Sequence, residues 1–292
     1  MKASEVQPPE SYEGLIRLIH ERYEQMSKTY QRIAEYLTQN PNDVAVQSVN
    51  AIAAQRDIHA SSFVRFAQSL GFTGFKDLQV LFQKRLTTAA PGFEARVTAL
   101  KDELRKRDSN AGPDPLRDLA LRDIASLQEL LSSIDSRDID HAAELIEKAN
   151  SVFLIGQLRS EPVVNLMRYI LTMLGKTAVL LDVSGGLATH MARTMTSDDV
   201  LIAVSFRFYA TEVVNITEHA ASAKVPVIAI SDSTLSPLKK SSTILFPVPE
   251  HDYTFSRSLA APMCLAQALM MSVATKSPNY SGQPRIPTVT AQ

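Results

Sequence analysis

Cysteine and tryptophan are nearly missing from this 292-residue chain, which has one cysteine, Cys264, and no tryptophan. A single thiol closes neither an internal disulfide nor a zinc site, so a disulfide-stapled scaffold is excluded. Cys264 sits in the apolar run Ala260-Ala261-Pro262-Met263-Cys264-Leu265-Ala266 and reads as a small core residue, not a nucleophile. Long apolar runs are missing too, and none approaches the roughly 20 residues that cross a bilayer. The stretch Met1 to Ser11 is polar and lacks the apolar core of a signal peptide, so the expected location is cytoplasmic. Nor does either sign of charge dominate, with 30 basic against 31 acidic residues. That balance removes any whole-molecule attraction to nucleic acid or membrane, and contact with DNA has to come from a local arrangement. The six histidines are scattered without metal-ligand spacing, so neither a metal nor a cofactor is expected.

The length fits two domains and a connector, and an apolar fraction of 45% is enough for two cores. From Tyr12 to Leu86 apolar residues recur at three and four, the helical period, as in Leu15, Ile16, Leu18 and Ile19. Asn40-Pro41-Asn42-Asp43 ends one helix, and Gly71 and Gly74 break the chain later. The first 88 residues therefore read as an all-α unit of about four or five short helices. Glu94 to Arg107 is a charged helical stretch, and the turn-rich residues 108–115 follow it. Amphipathic helices are then expected over Leu116 to Ser133 and Asp138 to Ala149.

Beyond Ser151 short β-branched runs alternate with helical ones. The candidate strands are Val152 to Ile155, Ala178 to Leu181, Val200 to Val204, Val227 to Ile230 and Ile244 to Val248. Helices are expected at about Glu161 to Leu174, Gly186 to Thr194, Ala210 to Ala223 and Ser256 to Ala274. Strands apolar on both faces, joined through helices, form a doubly wound parallel sheet covered on both sides. The proline-rich tail after Ser277 reads as disordered. The expected fold is thus α/β: a helical domain over residues 1–88, a helical connector over 89–128, the α/β domain over 129–276 and a tail over 277–292.

Two stretches carry chemistry. In Ser48 to Gly71, Ser48 caps a short helix through Arg56, Asp57-Ile58-His59 makes a turn, and a second helix runs from Ala60 to Leu70. Ile52, Ala53, Ile58, Phe63, Val64, Phe66, Ala67 and Leu70 form a shared core, leaving Ser61, Ser62, Arg65 and Gln68 on the other side. Small hydroxyls, one arginine and one glutamine suit a helix laid in the major groove, and Ser48, His59 and Lys76 complete the candidate DNA-binding set. The same pattern also describes a plain amphipathic hairpin. The second stretch is the carboxyl rim of the sheet, where loops feed helix amino termini that favour anions. There Gln157, Arg159 and Ser160 follow strand one, Ser184 follows strand two, and Ser205, Arg207, Tyr209, Thr211 and Glu212 follow strand three. Two arginines with hydroxyls suit a phosphate or carboxylate, unless Arg159 and Arg207 are instead exposed or pair with Glu161 and Glu212.

The helical stretch resembles the amino-terminal domain of the MurR/RpiR transcriptional regulators. Val64-Arg65-Phe66, Leu70-Gly71-Phe72 and Gly74-Phe75 stand at the positions of that family's V-R-F-x-x-x-L-G-F-x-G-F signature, with Asn40-Pro41 and Ser48 at matching spacing. The family's Gly-Val-Ser turn is here Asp57-Ile58-His59. The second half resembles the sugar isomerase, or SIS, domain, through Leu174-Gly175-Lys176, the Ser205 loop ending in Thr211-Glu212, the run Lys224 to Asp232, and Ser236-Pro237-Leu238. The resemblance implies a regulator of operator DNA whose SIS domain binds a phosphosugar and which assembles as a dimer or tetramer. The usual Ser-x-Ser-Gly-x-Thr phosphate loop is departed from, since Arg207, Phe208 and Tyr209 replace its small residues, so a non-sugar carboxylate or phosphate stays open. An isomerase is the competing class, yet Glu212, Glu250, His251 and His190 show no spacing that singles out an acid or base. Subunit contacts are expected on the helix Leu116 to Leu131 and on Leu259, Leu265, Leu269 and Met270 of the last helix, residues that equally suit intradomain core.

Overall fold

The computed structural model describes residues 7–89, 114–182, 186–207, 209–248 and 257–277. Two compact units form, one from the described residues of Met1–Pro115 and Asp252–Arg257 and one from those of Leu116–His251 and Ser258–Gln292.

The first unit contains six helices among its described residues: α1 (Tyr12–Arg22), α2 (Lys28–Gln39), α3 (Pro41–Val46), α4 (Val49–Arg56), α5 (Ala60–Ser69) and α6 (Phe75–Ala89). The sequence suggested four or five. The extra helix is α3, because Pro41 does end α2 but also occupies the first turn of a new helix, where its missing N–H costs nothing. Gln79 then donates to the Val44 and Gln47 carbonyls at 2.8 Å each and Gln83 to that of Ala45, serving carbonyls at the end of α3. Leu15, Ile19, Ile33, Leu37, Ile52, Phe63, Phe66, Leu78 and Phe82 are fully buried around them. Edge-on aromatic pairs Tyr12 with Phe82, Tyr30 with Phe66 and Phe63 with Phe75 lock the helices, with ring centroids 5.2, 5.4 and 5.7 Å apart.

The second unit opens with α7 (Pro115–Ser133) and α8 (Ser136–Lys148). There follow β1 (Val152–Gly156), α9 (Glu161–Met173), β2 (Ala178–Leu180), α10 (Ala188–Ala192), β3 (Val200–Val204), α11 (Thr211–Ser222), β4 (Val227–Ser231), β5 (Ile244–Pro247) and α12 (Ala260–Lys276). The five strands pair in parallel in the order β2-β1-β3-β4-β5. Alternation explains the runs that are apolar on both faces. Val152, Leu154, Val200, Ile202, Ile228 and Ile230 join one core with α8, α9 and α12, whereas Phe153, Ile155, Leu201, Ala203, Val227 and Ala229 join another with α10 and α11. The expected α/β class with a helical first domain is therefore what the chain adopts.

Two expectations for α12 need correction. Cys264 is exposed, since Ala261, Leu265, Ala266, Leu269, Met270 and Val273 form the buried stripe and place it on the opposite face. The same stripe makes Leu265, Leu269 and Met270 intradomain core, and half-buried Leu259 packs against it, so these residues are not free for another subunit. On α7, by contrast, Leu116, Leu119, Leu121, Ile124 and Leu131 are exposed.

Gly156 ends β1 where the chain presses against the next helix: a Cβ there would lie 3.1 Å from both the Ser160 carbonyl oxygen and Val164 Cγ1. Substituting alanine is expected to lower the stability of the second unit by about 1–3 kcal/mol, as overpacking does, read as an earlier urea transition with an unchanged slope.

Candidate functional site

The candidate DNA-binding element is built by α4, the turn and α5. Ser48 Oγ accepts from Ala51 N–H at 3.2 Å and caps α4. Asp57 adopts the left-handed conformation, φ 51° and ψ 49°, and lets the Ile58 N–H return to the Ala53 carbonyl while Ile58 itself is buried. His59 starts α5 but its side chain makes no cap hydrogen bond, and no acidic residue lies in the first turn. The amino end of α5 is thus open to an anion. At the other end Gly71 (φ 94°) closes a Schellman turn, with Gly71 and Phe72 N–H donating to the Gln68 and Ala67 carbonyls. This turn is the physical content of Leu70-Gly71-Phe72.

Ser61, Arg65 and Gln68 are exposed one and two turns apart on α5, with Ser62 half-buried beside them; His59, Ser48 and Lys76 are exposed as well. Gln68 also donates to the Thr73 carbonyl at 3.4 Å. Val64, expected in the core, is only half-buried. Sequence reading missed how other cations are used. Arg22 donates to the Ser69 carbonyl at 3.2 Å and Arg32 to the Arg56 carbonyl at 2.7 Å, each serving a helix end, while the Arg56 guanidinium lies 4.5 Å above the Tyr36 ring. Positive charge is thereby withdrawn from part of the unit, and Arg65 is the cation placed on the exposed face of α5.

In the second unit strand order reverses between β1 and β3, which puts a crevice outside their carboxyl ends. The loop after β1 supplies Gln157, Arg159 and Ser160, and the loop after β3 supplies Ser205, Phe206 and Arg207. Ser160 and Ser205 are buried, and neither hydroxyl hydrogen-bonds another group among the described residues. The half-buried Arg159 guanidinium stacks 4.6 Å above the Phe206 ring and donates to the Ser258 carbonyl at 3.4 Å. Glu212, near the start of α11, accepts from Gln157 Nε2 at 2.9 Å and, at the outer limit of 3.5 Å, from the Thr189 hydroxyl. Arg207 faces Asp232, Nε to Oδ2 3.8 Å, with both side chains largely buried. The alternative pairing of these arginines with Glu161 and Glu212 is thus replaced by other partners. Ser231 Oγ donates to the Ser205 carbonyl at 2.7 Å and lies 2.8 Å from Ser236 Oγ, fixing the end of β3.

Thr211 is exposed at the first position of α11, and Tyr209 is half-buried. Ser184, Glu250 and His251 lie outside the described residues, and His190 is exposed on α10. Asp232, Phe206 and Thr189 were not in the expected set. Asp232 had a signal, since it follows β4 at the same rim, whereas the stacking of Arg159 on Phe206 had none. Among the described residues no group of three or more His, Cys, Asp or Glu side chains is arranged to hold a metal, and no helix is long and apolar enough to cross a membrane.

Residues 13–89 match the helix-turn-helix domain of the rpiR family, and residues 145–272 match the SIS domain. The chain thus joins an rpiR-family helix-turn-helix domain to a SIS domain. Among curated proteins this chain is 26% identical over 263 residues to the uncharacterized HTH-type transcriptional regulator YfhH of Escherichia coli, covering 88% of each chain. It is 24% identical over 242 residues to the HTH-type transcriptional regulator HexR of Pseudomonas aeruginosa, covering 81% of this chain and 79% of HexR. Its fold is shared with the sugar isomerase domain of an RpiR transcription factor from Sphaerobacter thermophilus, at a TM-score of 0.54, 24% identity, and coverage of 57% of this chain and 93% of that one. It is shared also with the Vibrio vulnificus NanR protein solved in complex with ManNAc-6P, at a TM-score of 0.53, 20% identity, and coverage of 91% and 93%.

Proposed function

We propose that this protein is a transcriptional regulator in which α5 reads double-stranded operator DNA and the rim of the SIS domain binds a small anionic effector, a phosphosugar first of all. One observation carries the effector half: the hydroxyls of the buried residues Ser160 and Ser205, which make no hydrogen bond among the described residues, stand beside the guanidinium of Arg159 at the strand-order reversal, where the two hydroxyls can donate to an anion and the arginine adds positive charge. The DNA half is supported by the exposed row Ser61, Arg65 and Gln68 on a helix whose amino end carries no acid. NanR, which shares the fold, was solved with a sugar phosphate, and that supports the effector class.

The protein acts as a homodimer or tetramer, because one head reads too few base pairs for selectivity and a two-fold pair reads two half-sites in register. Effector occupancy then favours one arrangement of the two heads over another and changes operator affinity. The rim residues serve recognition, with Glu212 engaged by Gln157 and Thr189 in holding the loops together.

The test pairs gel shifts on the DNA flanking the protein's own gene with thermal-shift screening of sugar phosphates and small organic acids. Sugar phosphates are expected to raise the unfolding temperature and alter the gel shift. Arg159→Ala and Ser205→Ala should each weaken that effect by about 10-fold or more, the cost of one hydrogen bond to a charged group. A carboxylate that acts where sugar phosphates do not would change the effector class, and isomerase turnover without DNA binding would overturn the whole reading.

A further inference from the structure

We propose that the outward face of α9 is a self-complementary surface on which a second copy of this chain docks antiparallel, about a two-fold axis beside Asn165. The inner face of α9 is spent on the core through Val163, Val164, Met167 and Leu171. Its outer face is also apolar: Tyr169 and Met173 are 64% and 70% exposed, Pro162 is exposed and Leu166 half-buried. At about 100° per residue these four side chains fall within a stripe roughly 60° wide. Leu158, 85% exposed, extends the stripe one turn before the helix.

Charge and polarity along the stripe point to one occupant. Glu161 and Arg168 lie two turns apart on the same flank, both exposed, and neither has a charged partner among the described residues. In an antiparallel pair the same flanks face each other, so Glu161 of each protomer meets Arg168 of its partner, twice across the axis. A parallel pair would oppose different flanks and leave both charges unmatched. The same antiparallel register sets Pro162 against Tyr169 and Leu158 against Met173. It also sets Asn165, half-buried and without a hydrogen bond among the described residues, against its own copy, and a lone asparagine in an apolar seam is a device that fixes register. The exposed leucines of α7 make a weaker case, because Arg117, Asp118, Arg122 and Asp123 beside them already interact within the chain.

The surface also reaches the candidate effector loop. Leu158 has a left-handed backbone, φ 54°, unfavourable for a side chain of its size, yet it displays that side chain to solvent. Docking covers it, and it immediately precedes Arg159 and Ser160. Effector occupancy and docking are therefore coupled through this loop, a link that rests on the effector reading above, whereas the surface itself does not.

The experiment is sedimentation velocity of the full chain. The wild type is expected to be at least a dimer at micromolar concentration. Arg168→Glu and Glu161→Lys, both exposed and checked for folding by circular dichroism, should each weaken association about 10-fold or more and halve the assembly's mass. Mixing the two variants should restore it, because both cross-axis contacts then pair opposite charges again. A monomeric wild type, variants that associate like the wild type, or a mixture of folded variants that stays dissociated would overturn the surface. Charge rescue without any response to sugar phosphates would leave the surface standing and remove only its link to the effector.

Discussion

Arg65→Ala is expected to lower operator affinity by about 10–100-fold while leaving the unfolding of the first unit within about 0.5 kcal/mol of wild type. Arg65 is exposed in the middle of α5, flanked one turn away on either side by Ser61 and Gln68. With α5 laid in the major groove, as proposed, a guanidinium there would reach base edges bidentately, and each such contact distinguishes bases by about 1–3 kcal/mol per half-site. Its removal should also relax preference at one base pair, which a phosphate contact would not do. Arg22 and Arg32 provide the contrast, since they donate to carbonyls at the ends of α5 and α4. Arg32→Ala should lower the stability of the helical unit by about 1 kcal/mol, and its effect on DNA should disappear in a stabilised background. Gel shifts against a base-substituted operator series, alongside chemical denaturation, separate the two behaviours. Should Arg65→Ala bind every sequence as tightly as wild type, α5 is not the reading helix.

The architecture was legible because its signals are local and repeated. Strand runs apolar at nearly every position, glycine at Gly71 and Gly175 for Schellman turns, and Ser48 as a cap each prescribe a backbone state that the neighbouring elements then share. Helix α3 was not legible, because Pro41 both stops and starts helices and only the tertiary partners Gln79 and Gln83 decide which. The site divides in the same manner. That Ser160, Ser205 and Arg159 stand at the rim follows from strand order, which the alternating pattern allows one to count. Their partners do not follow, because Gln157 with Glu212 and Arg207 with Asp232 join positions 55 and 25 residues apart in the chain, and no spacing rule links them. The exposure of Cys264 failed for a related reason: α12 is apolar nearly all round, so composition cannot tell its buried face from its outer one.

The Arg207 and Asp232 pair decides what the rim offers an anion. The two groups are 3.8 Å apart, with side-chain exposures of 14% and 5%, so their attraction acts where water screens it little. Removing one partner leaves the other's charge less compensated at a largely buried position, and Asp232→Ala is expected to destabilise the second unit by about 3 kcal/mol, the low end for a buried pair. Replacing both, as Arg207→Met with Asp232→Leu, should recover most of that loss, which urea denaturation of the two singles and the double would measure. Asp232→Asn separates structure from recognition, because it keeps the side chain's shape and removes the carboxylate that competes with an incoming anion for Arg207. If Arg207 reads the effector, this variant should bind a responsive sugar phosphate more tightly, by several-fold, in spite of reduced stability. Unchanged or weaker binding would assign Arg207 to the scaffold and leave Arg159 with the two serines as the anion's receptor.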